Sequence, residues 1–319
     1  LGHSLQHETR QRDGRLDALL TESFSPVGML HYTFALAQPS GDYTPGARFT
    51  VNGTAATLDY GDFDADRRTD VFVRVASATT PNTYIFRGRG DGTFAPAETL
   101  TFTGNLIADF NADGRTDIVQ FVGSSSAIVQ LRQADGTFRA LPSFFLPTTL
   151  VVAGDFDGDG RPDLFTGTTV LRGLGDGRFA TAQPVTCMAC RNASRTLVGR
   201  FNADPRDDLI VTDTENVSVL LGQSDGSLSM AANYTVYRPE QLSAGDLDAD
   251  GNLDLVFYAQ PIGVTSNDQL ALFYGDGTGR FPDPRAYQNT RWSSVRPLVA
   301  DVDQDGVRDV VIDGRYVAQ

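Results

Sequence analysis

One nine-residue acidic pattern, Asp-x-Asp-x-Asp-Gly-x-x-Asp, recurs from end to end of this chain and constrains its fold more than any other feature. Five copies are complete or nearly so: Asp62–Asp70, Asp109–Asp117, Asp155–Asp163, Asp246–Asp254 and Asp301–Asp309. A sixth, Arg200–Asp208, has Arg200 in place of the first carboxylate and Pro205 at the bend. A seventh, Thr9–Asp17, keeps only Asp13 and Asp17. The copies start at residues 9, 62, 109, 155, 200, 246 and 301, so the spacing runs from 45 to 55 residues. A period of that length means one structural unit repeated. The usual prior of about 150 residues per domain therefore does not apply.

Every unit has the same internal order. A short apolar run, such as Leu150-Val-Val-Ala-Gly154, enters the acidic loop. A β-branched and aromatic run leaves it, as in Asp70-Val-Phe-Val-Arg-Val75. A third strand-like run, such as Ala127-Ile-Val-Gln-Leu131, ends in an Asp-Gly turn at Asp91-Gly92, Asp135-Gly136, Asp176-Gly177, Asp225-Gly226 or Asp276-Gly277. Asp-Gly favours tight hairpins because glycine adopts positive φ at little cost. A weaker fourth run leads into the next unit. Four strands per ~46 residues, with no amphipathic helical stretch, describe propeller blades. The expectation is one all-β domain over residues 1–319, a seven-bladed β-propeller with four-stranded antiparallel blades. Residues 1–8 read as the first strand of the first blade.

The acidic loops carry the chemistry. Calcium takes six to eight hard oxygen ligands and tolerates irregular geometry. Alternate side chains of a tight loop converge on one centre. The expected side-chain ligands are Asp62, Asp64, Asp66 and Asp70; Asp109, Asn111, Asp113 and Asp117; Asp155, Asp157, Asp159 and Asp163; Asp246, Asp248, Asp250 and Asp254; and Asp301, Asp303, Asp305 and Asp309. Position 7 would add a backbone carbonyl from Arg68, Arg115, Arg161, Asn252 or Val307. An EF-hand closes with Glu at position 12 between helices, whereas this loop closes with Asp at position 9 between strands. Magnesium prefers water-rich octahedral sites, and soft metals want His or Cys. The five strong loops hold 19 Asp, and the net charge is −14. Five Ca2+, carrying ten positive charges, would take it from −14 to −4. The copies at 200 and 9 are expected to be weak or empty, and the calcium is expected to be structural.

Composition excludes several classes. The acidic charge opposes nucleic acid and anionic membranes. No apolar run approaches the ~18 residues of a membrane span. No signal peptide opens at Leu1, so the sequence reads as a mature or shortened chain. Cys187 and Cys190 are the only two cysteines, too few for a disulfide scaffold and half of a zinc site. They read as a local disulfide or an inert pair in an exposed loop.

The segments Asp-Phe-Asp-Gly-Asp-Gly-Arg-Pro-Asp-Leu (155–164) and Leu-Gly-Asp-Gly-Arg-Phe (174–179) closely resemble the FG-GAP/VCBS repeat. That repeat builds the calcium-binding propeller of integrin α subunits and of many secreted proteins, some of them lectins. The resemblance covers essentially the whole chain. It implies a seven-bladed propeller, an extracellular location and calcium at the matched Asp positions. It implies no particular ligand.

Catalysis finds little footing, because His3, His7 and His31 all lie near the start of the chain. Arg89-Gly-Asp91 falls on the ordinary Asp-Gly turn of its repeat. Four sequons occur, at Asn52, Asn192, Asn216 and Asn233. The long connections, Ala76–Thr83, Gln183–Thr196, Ala259–Gln269 and Asp283–Arg296, belong to the rim opposite the acidic loops. Tyr234, Tyr237, Tyr287 and Trp292 lie in or near them and are the candidate ligand contacts. The expected activity is binding or adhesion toward a glycan or protein on that rim, by a monomer or a part of a larger surface protein. A lectin is the first alternative and a polysaccharide lyase or hydrolase the second.

Overall fold

The computed structural model describes residues 3–10, 16–25, 29–37, 43–52, 55–76, 83–146, 150–260, 269–288, 297–300, 307–312 and 315–317. Among these residues all regular structure is β-strand, apart from one 3-10 turn at Cys190–Asn192. None of their helices is long and apolar enough to cross a membrane. The chain divides into two compact units, Leu1–Pro147 and Thr148–Gln319.

The first unit holds three sheets. Strands His3–Arg10, Leu16–Ser25, Met29–Ala37 and Tyr43–Asn52 form the first. Strands Ala55–Gly61, Asp70–Ala76, Thr83–Phe86 and Glu98–Thr99 form the second. The third has Leu106–Ala108, Asp117–Val122, Ser126–Arg132 and Phe138–Ala140, with Phe144–Phe145 paired to the start of Ser126–Arg132. The second unit holds four. The fourth sheet is Val152–Gly154, Asp163–Phe165, Thr169–Leu171 and Gln183–Pro184. The fifth is Arg195–Gly199, Asp208–Thr212, Asn216–Gly222 and Leu228–Thr235. The sixth is Glu240–Gly245, Asp254–Ala259, Gln269–Tyr274 and Asp283–Gln288. The seventh is Leu298–Ala300, Asp309–Ile312 and Arg315–Val317.

These are propeller-type blades, each an antiparallel meander. Five of them are four-stranded, which corrects the expectation of seven four-stranded blades. The third departs because Leu141-Pro-Ser143 breaks its outer strand into two short pieces, and proline cannot donate to the ladder. The seventh has three strands among the described residues.

The strand after each acidic loop explains the packing. In the second, fifth and sixth sheets this strand is mostly apolar and buried on both faces, so its side chains alternate between two neighbouring sheets. Val71, Val73 and Val75 pack with Tyr32, Phe49 and Val51 of the first sheet. Phe72, between them, packs with Ile118 of the third. The second unit repeats the scheme. Leu209 and Val211 join Phe165 and Val170, while Ile210 joins Leu255 and Phe257. A one-residue slip would exchange the two faces of such a strand.

An ion pair ties the second sheet to the third. Arg132 is fully buried, and its Nη1 and Nη2 reach Glu98 Oε1 and Oε2 at 2.6 and 2.8 Å. Its guanidinium also lies 4.7 Å from the centre of the Phe138 ring. Cys187 and Cys190 form a disulfide, and both are buried in the core between the fourth and fifth sheets rather than exposed in a loop.

Candidate metal centres

Each acidic loop joins the first strand of its sheet to the second, and each Asp-Gly turn joins the third to the fourth. In an antiparallel meander these two connections emerge at the same end. Position 2 anchors the loop by burying Phe63, Phe110, Phe156, Phe201 or Leu247. Position 1 then organises the bend from its side chain. Asp62 accepts the Asp64, Asp66 and Arg67 amides at 3.3, 3.2 and 2.8 Å. Asp109 accepts those of Asp113 and Gly114 at 3.1 and 2.7 Å. Asp155 accepts Gly158 and Gly160 at 2.9 and 3.0 Å, and Asp246 accepts Asp250 and Gly251 at 3.1 and 3.0 Å. Position 5 accepts the position-7 amide: Asp66 from Arg68, Asp113 from Arg115, Asp159 from Arg161 and Asp250 from Asn252.

Position 6 is glycine with φ near +80° at Gly114, Gly160 and Gly251. Arg67 takes the same left-handed conformation at φ 62°. A side chain there costs roughly 1 kcal/mol. Arg67→Gly is therefore expected to stabilise the protein by about 0.5–1 kcal/mol in urea denaturation. A destabilised variant would show that the Arg67 side chain makes a compensating contact.

Position 9 has a role that sequence reading missed. Asp70, Asp117, Asp163, Asp208 and Asp254 are buried, and each holds the same two backbone amides, with Asp208 accepting that of Asn202 as well. One amide belongs to position 2 of the same loop: Phe63, Phe110, Phe156, Phe201 or Leu247. The other ends the third strand: Gly88, Arg132, Gly173, Gly222 or Gly275. The carboxylate thus pins the loop to the turn beside it. The recurring glycine after the third strand was the available signal. A Cβ there would lie 2.2 to 2.5 Å from the position-8 carbonyl at Gly88, Gly173, Gly222 and Gly275.

The described carboxylates cluster closely enough to share a cation. Asp62, Asp64 and Asp66 bring one oxygen each within 4.8 Å of one another, as do Asp155, Asp157 and Asp163, and Asp246, Asp248 and Asp250. In the 109 loop Asn111 supplies the amide oxygen, which accepts the Asp113 amide at 3.2 Å. Burial pushes the Asp70 and Asp254 carboxyls up to about 6, with neighbouring loop carboxylates adding to it. For the same reasons Asp117 and Asp163 rise to about 7. Such a field favours a bound positive charge. The donors are all oxygens and are carboxylate-rich, the set a hard divalent cation takes. Asp309 is buried, while Asp301, Asp303, Asp305, Asp13 and the Asp17 side chain lie outside the described residues, and Val307 is half-buried.

At the other end of the blades, a groove of about 470 Å³ lies between the fifth and sixth sheets. Asn233 to Tyr237 form one wall, and Ala259, Gln260, Gln269, Phe273 and Arg285 line the rest. Tyr237 is 39% exposed, and its carbonyl accepts the Gln260 amide at 2.9 Å. Tyr234 is half-buried and structural in part. Its ring meets Phe273 edge-on at 5.2 Å, and its hydroxyl accepts the Phe281 amide at 2.7 Å. The Tyr287 side chain and Trp292 lie outside the described residues.

A family model for the FG-GAP-like repeat matches residues 62–119, 109–166, 200–257 and 246–312. The chain belongs to the FG-GAP-like repeat family. One of its FG-GAP-like matches begins at the divergent copy, Arg200–Asp208, and the structure shows how that copy survives. Asp208 keeps both of its amide bonds, to Phe201 and Gly222. Asp204 is held by Asn202 at 3.0 Å and by Arg206 at 2.5 Å, just as Asp113 is held by Asn111 and Arg115 in the 109 loop. The clamp therefore persists without the first carboxylate.

No curated protein matches the chain. Among solved structures, an Agrocybe aegerita lectin, described for its specific recognition of non-reducing terminal N-acetylglucosamine, has the same fold. It is 16% identical over 97% of this chain and 92% of its own, with a TM-score of 0.65. The S. cerevisiae core factor matches at 8% identity over 99% of this chain and 55% of its own, with a TM-score of 0.55. BBS1N, in complex with ARL6DN, matches at 9% identity over 92% of this chain and 88% of its own, with a TM-score of 0.51.

Proposed function

We propose that this FG-GAP-like chain is an extracellular binding module held in shape by calcium, and that its ligand is a glycan. The observation that carries the calcium reading is the convergence of three carboxylate oxygens within 4.8 Å in the loops at 62, 155 and 246. Asp109, Asn111 and Asp113 would form a fourth centre, and the repeat pattern assigns a fifth to Asp301, Asp303 and Asp305, which lie outside the described residues. Position 9 contributes its remaining lone pairs, since a carboxylate offers about four acceptor sites. The carbonyls of Arg68, Arg115, Arg161, Asn252 and Val307 complete the shells. Bound calcium would neutralise the loops and tie the first strand of each blade to the second. Extracellular modules bind calcium at roughly 10⁻⁴–10⁻³ M, which suits a calcium-rich exterior. EDTA is expected to lower the melting temperature and calcium to restore it. An unchanged melting curve would remove calcium from the account.

The glycan reading rests on the groove between the fifth and sixth sheets. Its ~470 Å³ falls in the range of about 300–1,000 Å³ typical of small-molecule sites. Tyr237 offers an exposed ring for the apolar face of a sugar, and Gln260 and Gln269 offer paired donors and acceptors. The Agrocybe aegerita lectin, which shares the fold at 16% identity, is described for recognition of a terminal sugar, and that agrees with this class of ligand. A glycan array with and without EDTA tests it. Specific binding is expected, and Tyr237→Ala is expected to weaken it about ten- to thirtyfold. Turnover of a polysaccharide in the same mixtures would instead favour the enzyme reading.

A further inference from the structure

The loops are not equivalent, and the difference lies outside the repeated motif. In the second and fourth sheets the residue before the clamped glycine is arginine: Arg87 before Gly88 and Arg172 before Gly173. The third, fifth and sixth sheets carry Leu131, Leu221 and Tyr274 there. Arg87 is drawn away from its loop. Its Nη2 lies 3.3 Å from Glu98 Oε2, and its Nη1 only approaches Asp64 Oδ2 to 4.0 Å. Arg172 instead lies against its own acidic loop. Nε is 2.5 Å from Asp157 Oδ2, and Nη2 is 3.3 Å from Asp159 Oδ2.

Burial separates the two loops further. The Asp157 side chain is 1% exposed, whereas that of Asp64 is 34% exposed. The covering element comes from the next repeat. Gly226, at φ +80° in the Asp-Gly turn of the fifth sheet, stands so close that a Cβ there would lie 3.4 Å from Arg172 Cδ and 3.9 Å from Asp157 Oδ2. The loop is also clasped at position 1. Asp207 donates its amide to the Asp155 carbonyl and accepts the Asp155 amide on Oδ2, both at 2.9 Å. A buried carboxylate without a countercharge is costly, and here a guanidinium is already in place.

We infer that Arg172 is the built-in cation of the 155 loop and sets that loop's response to calcium. The inference rests on the calcium reading for the loop's affinity, but not for its metal-free stability. A guanidinium stays charged at all working pH values. A divalent ion entering this loop must displace or neutralise the contact with Asp157. The 155 loop therefore binds calcium more weakly than its carboxylate count implies and holds its shape better without the ion. In the 62 loop Arg68 reaches Asp66 at 3.2 Å and Arg87 only approaches Asp64, both of them partly exposed carboxylates, and among the described residues no ion pair reaches the carboxylates of the 246 loop.

The test compares Arg172→Gln, Arg172→Lys and Arg87→Gln with the wild type by calorimetric calcium titration and by melting curves in EDTA. In EDTA, Arg172→Gln is expected to melt about 3 °C lower, and Arg172→Lys to recover most of the loss. Arg87→Gln, whose loop does not depend on it, is expected to fall less. In the titration, one site of Arg172→Gln is expected to tighten about tenfold once the positive charge has gone. An unchanged EDTA melting temperature with unchanged affinities would overturn the role of Arg172. If no variant took up calcium, the calcium reading would fail, and the EDTA melts would still decide whether Arg172 is the loop's cation.

Discussion

Asp117→Ala is expected to destabilise the protein by about 3–5 kcal/mol in calcium, with most of that loss retained in EDTA. Its carboxylate receives the Phe110 amide at 3.0 Å and the Arg132 amide at 2.7 Å, at a fully buried position. Alanine would leave two backbone donors unpaired, each costing about 1–3 kcal/mol. Asp117→Asn keeps one acceptor oxygen but turns an NH2 group toward one of those donors, so it should recover only part. Equilibrium urea unfolding followed by circular dichroism measures the difference. A loss below 1 kcal/mol, or one seen only when calcium is present, would mean that position 9 is chiefly a metal ligand. The sixth copy argues against that outcome, because Asp208 makes the same two bonds in a loop that has lost its first carboxylate.

The second large effect belongs to the ion pair between the second and third sheets. Glu98→Ala is expected to cost about 2–4 kcal/mol, since it strands a buried guanidinium. The upper part of the usual range is discounted because Glu98 keeps a quarter of its side-chain surface exposed, while Arg132 keeps 1%. Arg87, 3.3 Å from Glu98, would lose its partner as well. The double variant Glu98→Ala/Arg132→Met should regain much of the stability, because an apolar side chain of similar length can fill the space against Phe138. If the double variant is no more stable than Glu98→Ala, the cost arose from packing at residue 98 and not from the stranded charge.

These two sites show what kind of information the sequence carried. The acidic loop was legible because it is local. Its carboxylates, bends and amides lie within nine residues, so spacing alone determines which groups can meet. The all-β class and the repeat length were legible for the same reason, since strand alternation and Asp-Gly turns are short-range signals. Position 9 was read as a ligand because its second partner, such as Gly88 for Asp70, lies 18 residues away. The uniform count of four strands failed where Pro142 interrupts the outer strand of the third sheet, a local event that the repeat average concealed.

The sequence by itself determined the family, the β-strand repeat and the chemistry of the acidic loops. Those follow from side-chain types at fixed short spacing. Only the tertiary structure decided how the copies differ. Arg172 and Asp157 face one another because a turn from the following repeat covers both. Arg132 and Glu98 meet across 34 residues. The groove containing Tyr237 exists because two neighbouring sheets leave space between their outer strands. Contacts between repeats depend on which faces are brought together, and that is set by packing rather than by the order of residues within any one repeat.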